Sequence, residues 1–544
     1  MSLTIPDPKA EFLPEGVHNV DSPWDQTKYL WQDAYWRGTN SQDLVIYELH
    51  VGTFTPEGTY HAVEQQLPYL LELGINTIEL MPVAECPGRW NWGYDGVGFY
   101  APSHNYGTPD DLKSLIDKCH QSGISMILDV VYNHIGPEGN YLSQFGPYFS
   151  KKHGTPWGDA FDFDGPNKEL ARNFIVDNAI YWLREYHFDG LRLDAIHYMF
   201  DDSDYTIQQE ICDRVAEFKK TVDREIHLIA EANIYDHDLI CCHDGSRNTY
   251  DAIWADDLMH AIYSIAIPDS KLTEREYRGV VDVEEALTHG YLYRGPKIRR
   301  TDDEDRAQIH SREKNRDYIS SLIMAVQTHD SVGNHPHGKR LHQLANHDFQ
   351  KAAAALMLLY PAIPMMFMGE ESACDSPFLF FADFQDDRLR KAVDQGRKRE
   401  FPEANWKGAV MPSDERAFYD SKITFPEQSN EMFQWYKQLL HIRKSWNEKF
   451  IDPNQMKIST DLERGIFSIA YELPNGESAF IVSRICDPSK SVEPAKLEID
   501  GRVLLVSTGN QYDSASDSRI EISLAANHAI VGVGTANWAN VVAS

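Results

Sequence analysis

The sequence predicts an α/β protein: a (β/α)8 TIM barrel, with a loop subdomain after the third strand and a C-terminal antiparallel β-sandwich. Three observations predict it. Short apolar, β-branched runs recur between residues 44 and 369, each followed by a helical pattern. After the third run comes a long stretch rich in Gly, Pro and aromatics with no helical period. Beyond residue 450 the helical rhythm stops and short alternating runs take over. At 544 residues the chain exceeds what one ordinary core holds, so a catalytic unit with a smaller companion is expected.

The elements follow in order. Residues 1–43 carry Pro6, Pro8, Pro14 and Pro23 with little periodicity, and read as an irregular leader wrapping onto the barrel. The barrel is expected over 44–450, with strands in LVIYELHV (44–51), NTIELMPV (76–83), SMILDVVYN (125–133), GLRLDAI (190–196), HLIAEA (227–232), YDAIWA (250–255), LIMAVQT (322–328) and AIPMMFMG (362–369). Between them, segments such as HAVEQQLPYLLELG and NKELARNFIVDNAIYWLREY place apolar residues at i, i+3, i+4 and i+7, the spacing of one helix face. The inserted loop subdomain occupies about 135–165. Residues 451–544 hold FSIAYELPNGESAFIVSRI, VLLVS and HAIVGVG with turn signals such as Pro474-Asn475-Gly476, as a small β-sandwich would.

Composition removes several classes of function. With 83 acidic against 51 basic residues the formal charge is −32, a field that repels nucleic acid and anionic membranes but is indifferent to a neutral sugar. No run approaches the roughly 18 apolar residues of a membrane span. MSLTIPDPKAEFLPEG lacks the basic and apolar regions of a secretory signal. Seven cysteines, an odd number without CxxC spacing, suit reduced thiols. The expectation is a cytoplasmic protein that binds neither nucleic acid nor membrane.

Barrel enzymes keep their chemistry at the C-terminal ends of strands. Those ends carry Asp129 and His134 after the third strand, Arg192 and Asp194 on the fourth, Glu231 after the fifth, and His329 with Asp330 after the seventh. A lone charge there is commonly a structural salt-bridge partner. Several like charges on one rim repel one another, and persist where chemistry needs them. Glycoside hydrolysis needs such a set: one ionised carboxylate attacks the anomeric carbon and a protonated one donates to the leaving oxygen. Arginine would keep the first ionised, while burial and like charge raise the second. The stretch HDSVGNHPHGKRLH (329–342) pairs His335 with His337, but no carboxylate spacing accompanies them, so glycan contact is the preferred reading. No metal and no cofactor is expected.

The segments DVVYNH (129–134), GLRLDAIH (190–197), AEAN (230–233) and QTHDSVGN (327–334) resemble the four signature regions of the α-amylase superfamily, in their usual order. The resemblance runs from about residue 44 to the C-terminus. It implies Asp194 as nucleophile, Glu231 as general acid/base and Asp330 as the third carboxylate that orients the sugar. Arg192, His134 and His329 match positions that support the nucleophile or contact the bound glucosyl unit, and Tyr94 and Asp95 in NWGYDG match a stacking tyrosine and its acidic neighbour. Asn133 matches a position that holds calcium in some amylases, but the following insertion offers no acidic ligand cluster.

Within the superfamily, VIYELHVGTFTPEGTY, GYDGVGFYAPSHNYGTPDDLK, ILDVVYNHIGPEGNYL and especially FLFFADFQDDRLRKAVDQGRKREF are similar to maltooligosyltrehalose trehalohydrolases. This implies a retaining hydrolase that cuts the α-1,4 bond beside the trehalose end of maltooligosyltrehalose, with carboxyl groups roughly 5–5.5 Å apart. Branching, debranching or glucan-transferring enzymes share the scaffold and remain alternatives, as does a non-catalytic glycan-binding relative. The chain departs from the family pattern at Thr328, where Asn is usual, at ADDLMHA, where only His260 remains of two adjacent histidines, and in starting almost at the barrel rather than at a β-sandwich. On the leaving-group side, loops after strands 4, 5 and 6 offer His197, Tyr198, Asp201, Asp202, Asn233, Asp256, Asp257 and His260.

Overall fold

The computed structural model describes residues 5–232, 237–240, 249–268, 273, 275–294, 299–300, 316–425, 430–447, 452–473, 477–508 and 519–535. All eight expected strands form, each somewhat shorter than its apolar run: β1 (Ile46–Leu49), β2 (Thr77–Leu80), β3 (Ser125–Val130), β4 (Gly190–Leu193), β5 (His227–Ala230), β6 (Ala252–Trp254), β7 (Leu322–Ala325) and β8 (Ile363–Phe367). They follow one another in chain order around a closed barrel. The flanking residues that the sequence pattern included, such as Asp194 and Glu231, leave the ladder to become loop positions at strand ends.

Two compact units divide the chain. The first comprises residues 1–254, 376–402 and 406–424. It contains β1–β6, paired in parallel register so that Asp129 lies beside Arg192, and Arg192 beside Ile229. Helix Pro109–Gln121 begins at a capping box in which Thr108 and Asp111 satisfy each other's backbone N–H groups, and proline occupies its first position. Among the described residues the leader, part of this unit, forms no strand. Trp36 donates its indole N–H to Asp189 (2.8 Å), and His120 sits between Asp33 (3.0 Å) and Asp189 (2.9 Å). Burial disfavours charge on His120, yet the two carboxylates hold its pKa above the ordinary histidine value.

The insertion after β3 has only one short helical turn, Leu142–Gln144, and a bridge between Phe149 and Phe161. Aromatics take the place of periodic elements: Phe161 packs edge-on to Phe99 (5.8 Å) and Tyr148 to Phe174 (5.6 Å). Burying such rings supplies enough apolar area to order a stretch rich in glycine and proline.

The second unit comprises residues 255–375, 403–405 and 425–544. It holds β7 and β8, paired in parallel, and the C-terminal strands β9 (Lys457–Asp461), β10 (Ile466–Glu472), β11 (Glu477–Arg484), β12 (Ala495–Asp500), β13 (Arg502–Val506), β14 (Arg519–Leu524) and β15 (Ala529–Thr535). The sheet orders are β9-β10-β11-β15-β13 and β12-β14, all antiparallel. Phe480, Val482 and Ile530 of the larger sheet share one apolar cluster with Leu497, Ile499, Ile522 and Leu524 of the smaller, the two-layer arrangement expected of alternating strands. The Pro474-Asn475-Gly476 turn lies outside the described residues. Among the described residues no helix is long and apolar enough to cross a membrane.

Candidate active site

Arg192 is the hub of the first unit's site. Its β4 position points a fully buried guanidinium at the strand ends, where Nη1 donates to Asp129 Oδ2 and to Asp194 Oδ1, both at 2.8 Å. Nη2 lies 3.9 Å from Glu231 Oε2, so one planar cation addresses three carboxylates at the ends of β3, β4 and β5. The guanidinium is also stacked 4.1 Å from the Trp254 ring centre at the end of β6. Burial opposes its charge, but Asp129, Tyr94, Asp194 and Glu231 hold its pKa above the ordinary arginine value.

Each carboxylate is fixed from a second side. Asn133 donates through Nδ2 to both the carbonyl and Oδ2 of Asp194, each at 2.9 Å. The next residue, Ala195, has φ +43°, a left-handed conformation that costs a residue with a Cβ on the order of 1–2 kcal/mol. That strained turn aims the Ala195 N–H at Glu231 Oε2 (2.6 Å), and the Ile196 N–H at the Glu231 carbonyl (3.0 Å). Asp129 accepts the Tyr94 hydroxyl at 2.7 Å, which anchors the far end of that ring.

His134 and Asp95 lie against the same tyrosine. The His134 Nε2–H donates to the Tyr94 carbonyl (2.9 Å), and Nδ1 faces Asn133 Oδ1. Acceptors at both nitrogens favour the doubly protonated ring, while burial pushes the His134 pKa down. Asp95 accepts from Asn91 Nδ2 (2.7 Å), and burial pushes its pKa up. Gly136 packs so tightly that a Cβ there would sit 2.1 Å from the Asp95 carbonyl, which accounts for glycine two residues after His134.

On the expected leaving-group side, the His197 ring lies tilted against Tyr198 (4.6 Å, 51°), and burial lowers its pKa. Tyr198 meets Trp157 edge-on (4.8 Å), and Trp157 lies 5.6 Å from His134, a half-exposed indole for which the sequence reading had no role. Asp201 is buried beneath Arg172 (2.6 Å) and accepts the Ile207 N–H (2.6 Å), so it ties the β4 loop to its own helices. Asn233 lies outside the described residues.

In the second unit Asp330 follows β7 with its side chain about half exposed (55%), and His329 Nε2 lies 3.6 Å from it. Thr328 caps the turn His329–Gly333: its hydroxyl accepts the Ser331 N–H (3.2 Å), and Ser331 Oγ accepts the Thr328 N–H (2.9 Å). The threonine that departs from the family pattern therefore does N-cap work, for which threonine is a good substitute for asparagine.

Asp257, expected to contact substrate, is held by groups of its own unit. It is buried, and accepts from Tyr277 OH (2.6 Å), Arg275 Nη1 (3.2 Å), and the N–H groups of Leu292 (2.6 Å) and Tyr293 (3.1 Å). Burial pushes its pKa up, whereas Arg275 and His260 hold the neighbouring Asp256 below its ordinary value against burial. His260 Nε2 lies 3.2 Å from Asp256 and its ring stacks on Tyr277 (5.4 Å). Asp257→Ala is expected to take one of two carboxylates from the buried Arg275, which keeps Asp256, and to strand the Tyr277 hydroxyl and two backbone donors, at a cost of about 3–5 kcal/mol. Thermal unfolding measures this, and an unchanged Tm would return Asp257 to the residues available to a ligand.

Among the described residues one cluster has the composition of a metal site: His153, Asp164 and Asp202, with ligand atoms within 4.8 Å of one another. The Lys152 ammonium bonds both Asp164 (3.0 Å) and Asp202, so a cation there would compete with a positive charge the chain already supplies.

A closed parallel barrel whose β4 arginine gathers carboxylates from three strand ends is the architecture of the α-amylase class. The family model for the alpha amylase catalytic domain matches residues 29–155. A malto-oligosyltrehalose trehalohydrolase from Saccharolobus solfataricus is 38% identical over 81% of this chain and 76% of its own length. Another from Deinococcus radiodurans is 39% identical over 81% and 72%. A crystal structure of a Salmonella typhimurium protein, provisionally described as an alpha amylase, superposes with TM-score 0.84 at 33% identity, covering 98% of this chain and 88% of that one. The chain belongs to the malto-oligosyltrehalose trehalohydrolase family.

Proposed function

We infer that this protein is a retaining glycoside hydrolase that cleaves the α-1,4 bond next to the trehalose end of maltooligosyltrehalose and releases trehalose. The observation that carries the reading is its 38% identity to a relative of that name over four-fifths of the chain. Asp194 attacks the anomeric carbon. Its two oxygens are held by Arg192 and Asn133, so the nucleophile is oriented before substrate arrives. Glu231 protonates the leaving oxygen, then takes a proton from the water that releases the glycosyl-enzyme. Its Oε2 accepts the Ala195 N–H, which directs the mobile proton to Oε1. Asp330 orients the sugar, Tyr94 stacks against it, and His134, His329 and His197 contact it. One guanidinium reaching both Asp194 and Glu231 supports the short carboxylate separation of a retaining pair.

The test is incubation with maltotriosyltrehalose, maltopentaose and soluble starch, followed by chromatography. Trehalose is expected from the first substrate, with a higher kcat/KM than for maltopentaose. Longer or newly branched products would put glucan transfer in place of hydrolysis, and a preference for maltopentaose would overturn the substrate assignment.

A further inference from the structure

The stretch FLFFADFQDDRLRKAVDQGRKREF supplies no group to the chemistry above, yet its first half grips the residue two before Tyr94. Trp92 is buried and donates its indole N–H to the Leu379 carbonyl (2.8 Å). Phe378 stacks on one face of it (5.1 Å, 16°), and Phe380 meets it edge-on (4.7 Å, 66°). Phe380 is in turn covered by Arg397 of helix Asp387–Glu400, whose guanidinium carbon lies 4.6 Å from that ring and 4.9 Å from Phe401. At the other end of this stack Trp92 meets the Tyr94 ring edge-on (6.4 Å, 66°).

The turn between the two rings is stiff. Gly93 has φ +109°, a Cβ there would lie 2.2 Å from the Pro82 carbonyl, and its N–H is held by Asn91 Oδ1 (2.8 Å). Tyr94 is therefore fixed at its hydroxyl by Asp129, at its carbonyl by His134, and along its ring edge by Trp92. Of these three, the contact with Trp92 is the one that bears on the tilt of the ring plane, since a hydroxyl contact leaves the ring free to swing about it.

We propose that Trp92 is a positioning residue for turnover: the loop Phe378–Phe380, clamped by Arg397, uses it to set the plane on which Tyr94 receives the glucosyl unit. The inference rests on the reading of Tyr94 as a sugar platform. A ring displaced by about 1 Å costs up to about 100-fold in rate where it aligns reacting atoms.

A double-mutant cycle in the full-length chain tests it, with kcat/KM on maltotriosyltrehalose and Tm as readouts. Tyr94→Ala alone is expected to lower kcat/KM at least about 10-fold. Trp92→Leu is expected to do nearly the same in the native background, and to change kcat/KM less than about 2-fold when Tyr94 is already alanine. Its Tm loss should be equal in both backgrounds. Trp92→Phe loses the indole donor to Leu379 and one of the two fused rings, and where the leucine variant does not fold it serves in the same cycle, with a smaller loss of kcat/KM expected in the native background and again none beyond about 2-fold when Tyr94 is alanine. An equal fold-loss with and without Tyr94 would overturn the positioning role and leave Trp92 as core. An unchanged kcat/KM in Tyr94→Ala alone would overturn the platform reading itself, and the inference with it.

Discussion

Asp194→Asn is expected to lower turnover by at least about 10⁴-fold while leaving glucan affinity and Tm close to native. An amide has no lone pair basic enough to attack an anomeric carbon, so the covalent step is lost rather than slowed, and losses of this order follow removal of an enzyme's nucleophile. The fold should tolerate the change. Arg192 keeps Asp129 as its buried partner at 2.8 Å, and Asn133 keeps the Asp194 carbonyl at 2.9 Å. One donor is left facing the new NH2 group, a penalty of about 1–3 kcal/mol that the lower negative charge of the cluster partly offsets. Single-turnover rates, with affinity for a maltooligosaccharide measured separately, check the split. Activity above a few percent of native would assign the nucleophile elsewhere.

The barrel was legible because a buried parallel strand needs a dense apolar run, and each of the eight runs was followed by a helix-period segment. Even β6, three residues long, sat inside YDAIWA. The catalytic candidates were legible for the opposite reason: charges in such runs are costly, so Arg192 and Asp129 stood out against Leu and Val. Asp129 carries no assigned role in the sequence pattern, and in the structure it holds Arg192 and Tyr94 together.

What the sequence could not reveal depends on partners distant along the chain. Asp257 looked like an available acid beside the barrel mouth, because the residues that occupy it, Arg275, Tyr277, Leu292 and Tyr293, lie in a stretch with no motif. Asp201, expected among the polar groups of the leaving-group side, is likewise bound by Arg172, 29 residues earlier in the chain. Trp157 had no signal beyond its glycine-rich setting. The αL turn at Ala195 was invisible too, since alanine carries no preference for positive φ. Thr328, by contrast, could have been read as a cap from sequence, with Ser331 three residues on.

The acid/base is the second large effect. Glu231→Gln should lower kcat on maltooligosyltrehalose by about 10²–10⁴-fold, the range that general acid–base catalysis contributes. The amide can still accept the Ala195 N–H through its oxygen, so the αL turn and the placement of Asp194 beside it should survive. What is lost is the proton for the leaving oxygen in the first step, and the base for water in the second. The two losses separate experimentally. A glycosyl fluoride or aryl glycoside departs without a proton, so on such substrates the first step should recover most of its native rate and the glycosyl-enzyme should accumulate. Azide needs no base to attack that intermediate, and adding it should restore turnover and yield a glycosyl azide that retains the α configuration, because Asp194 still shields one face of the sugar. A product of inverted configuration would show that no covalent intermediate on Asp194 is formed. Equal losses on natural and activated substrates, with no response to azide, would take Glu231 out of the role and leave its contact with Ala195 as a purely structural one.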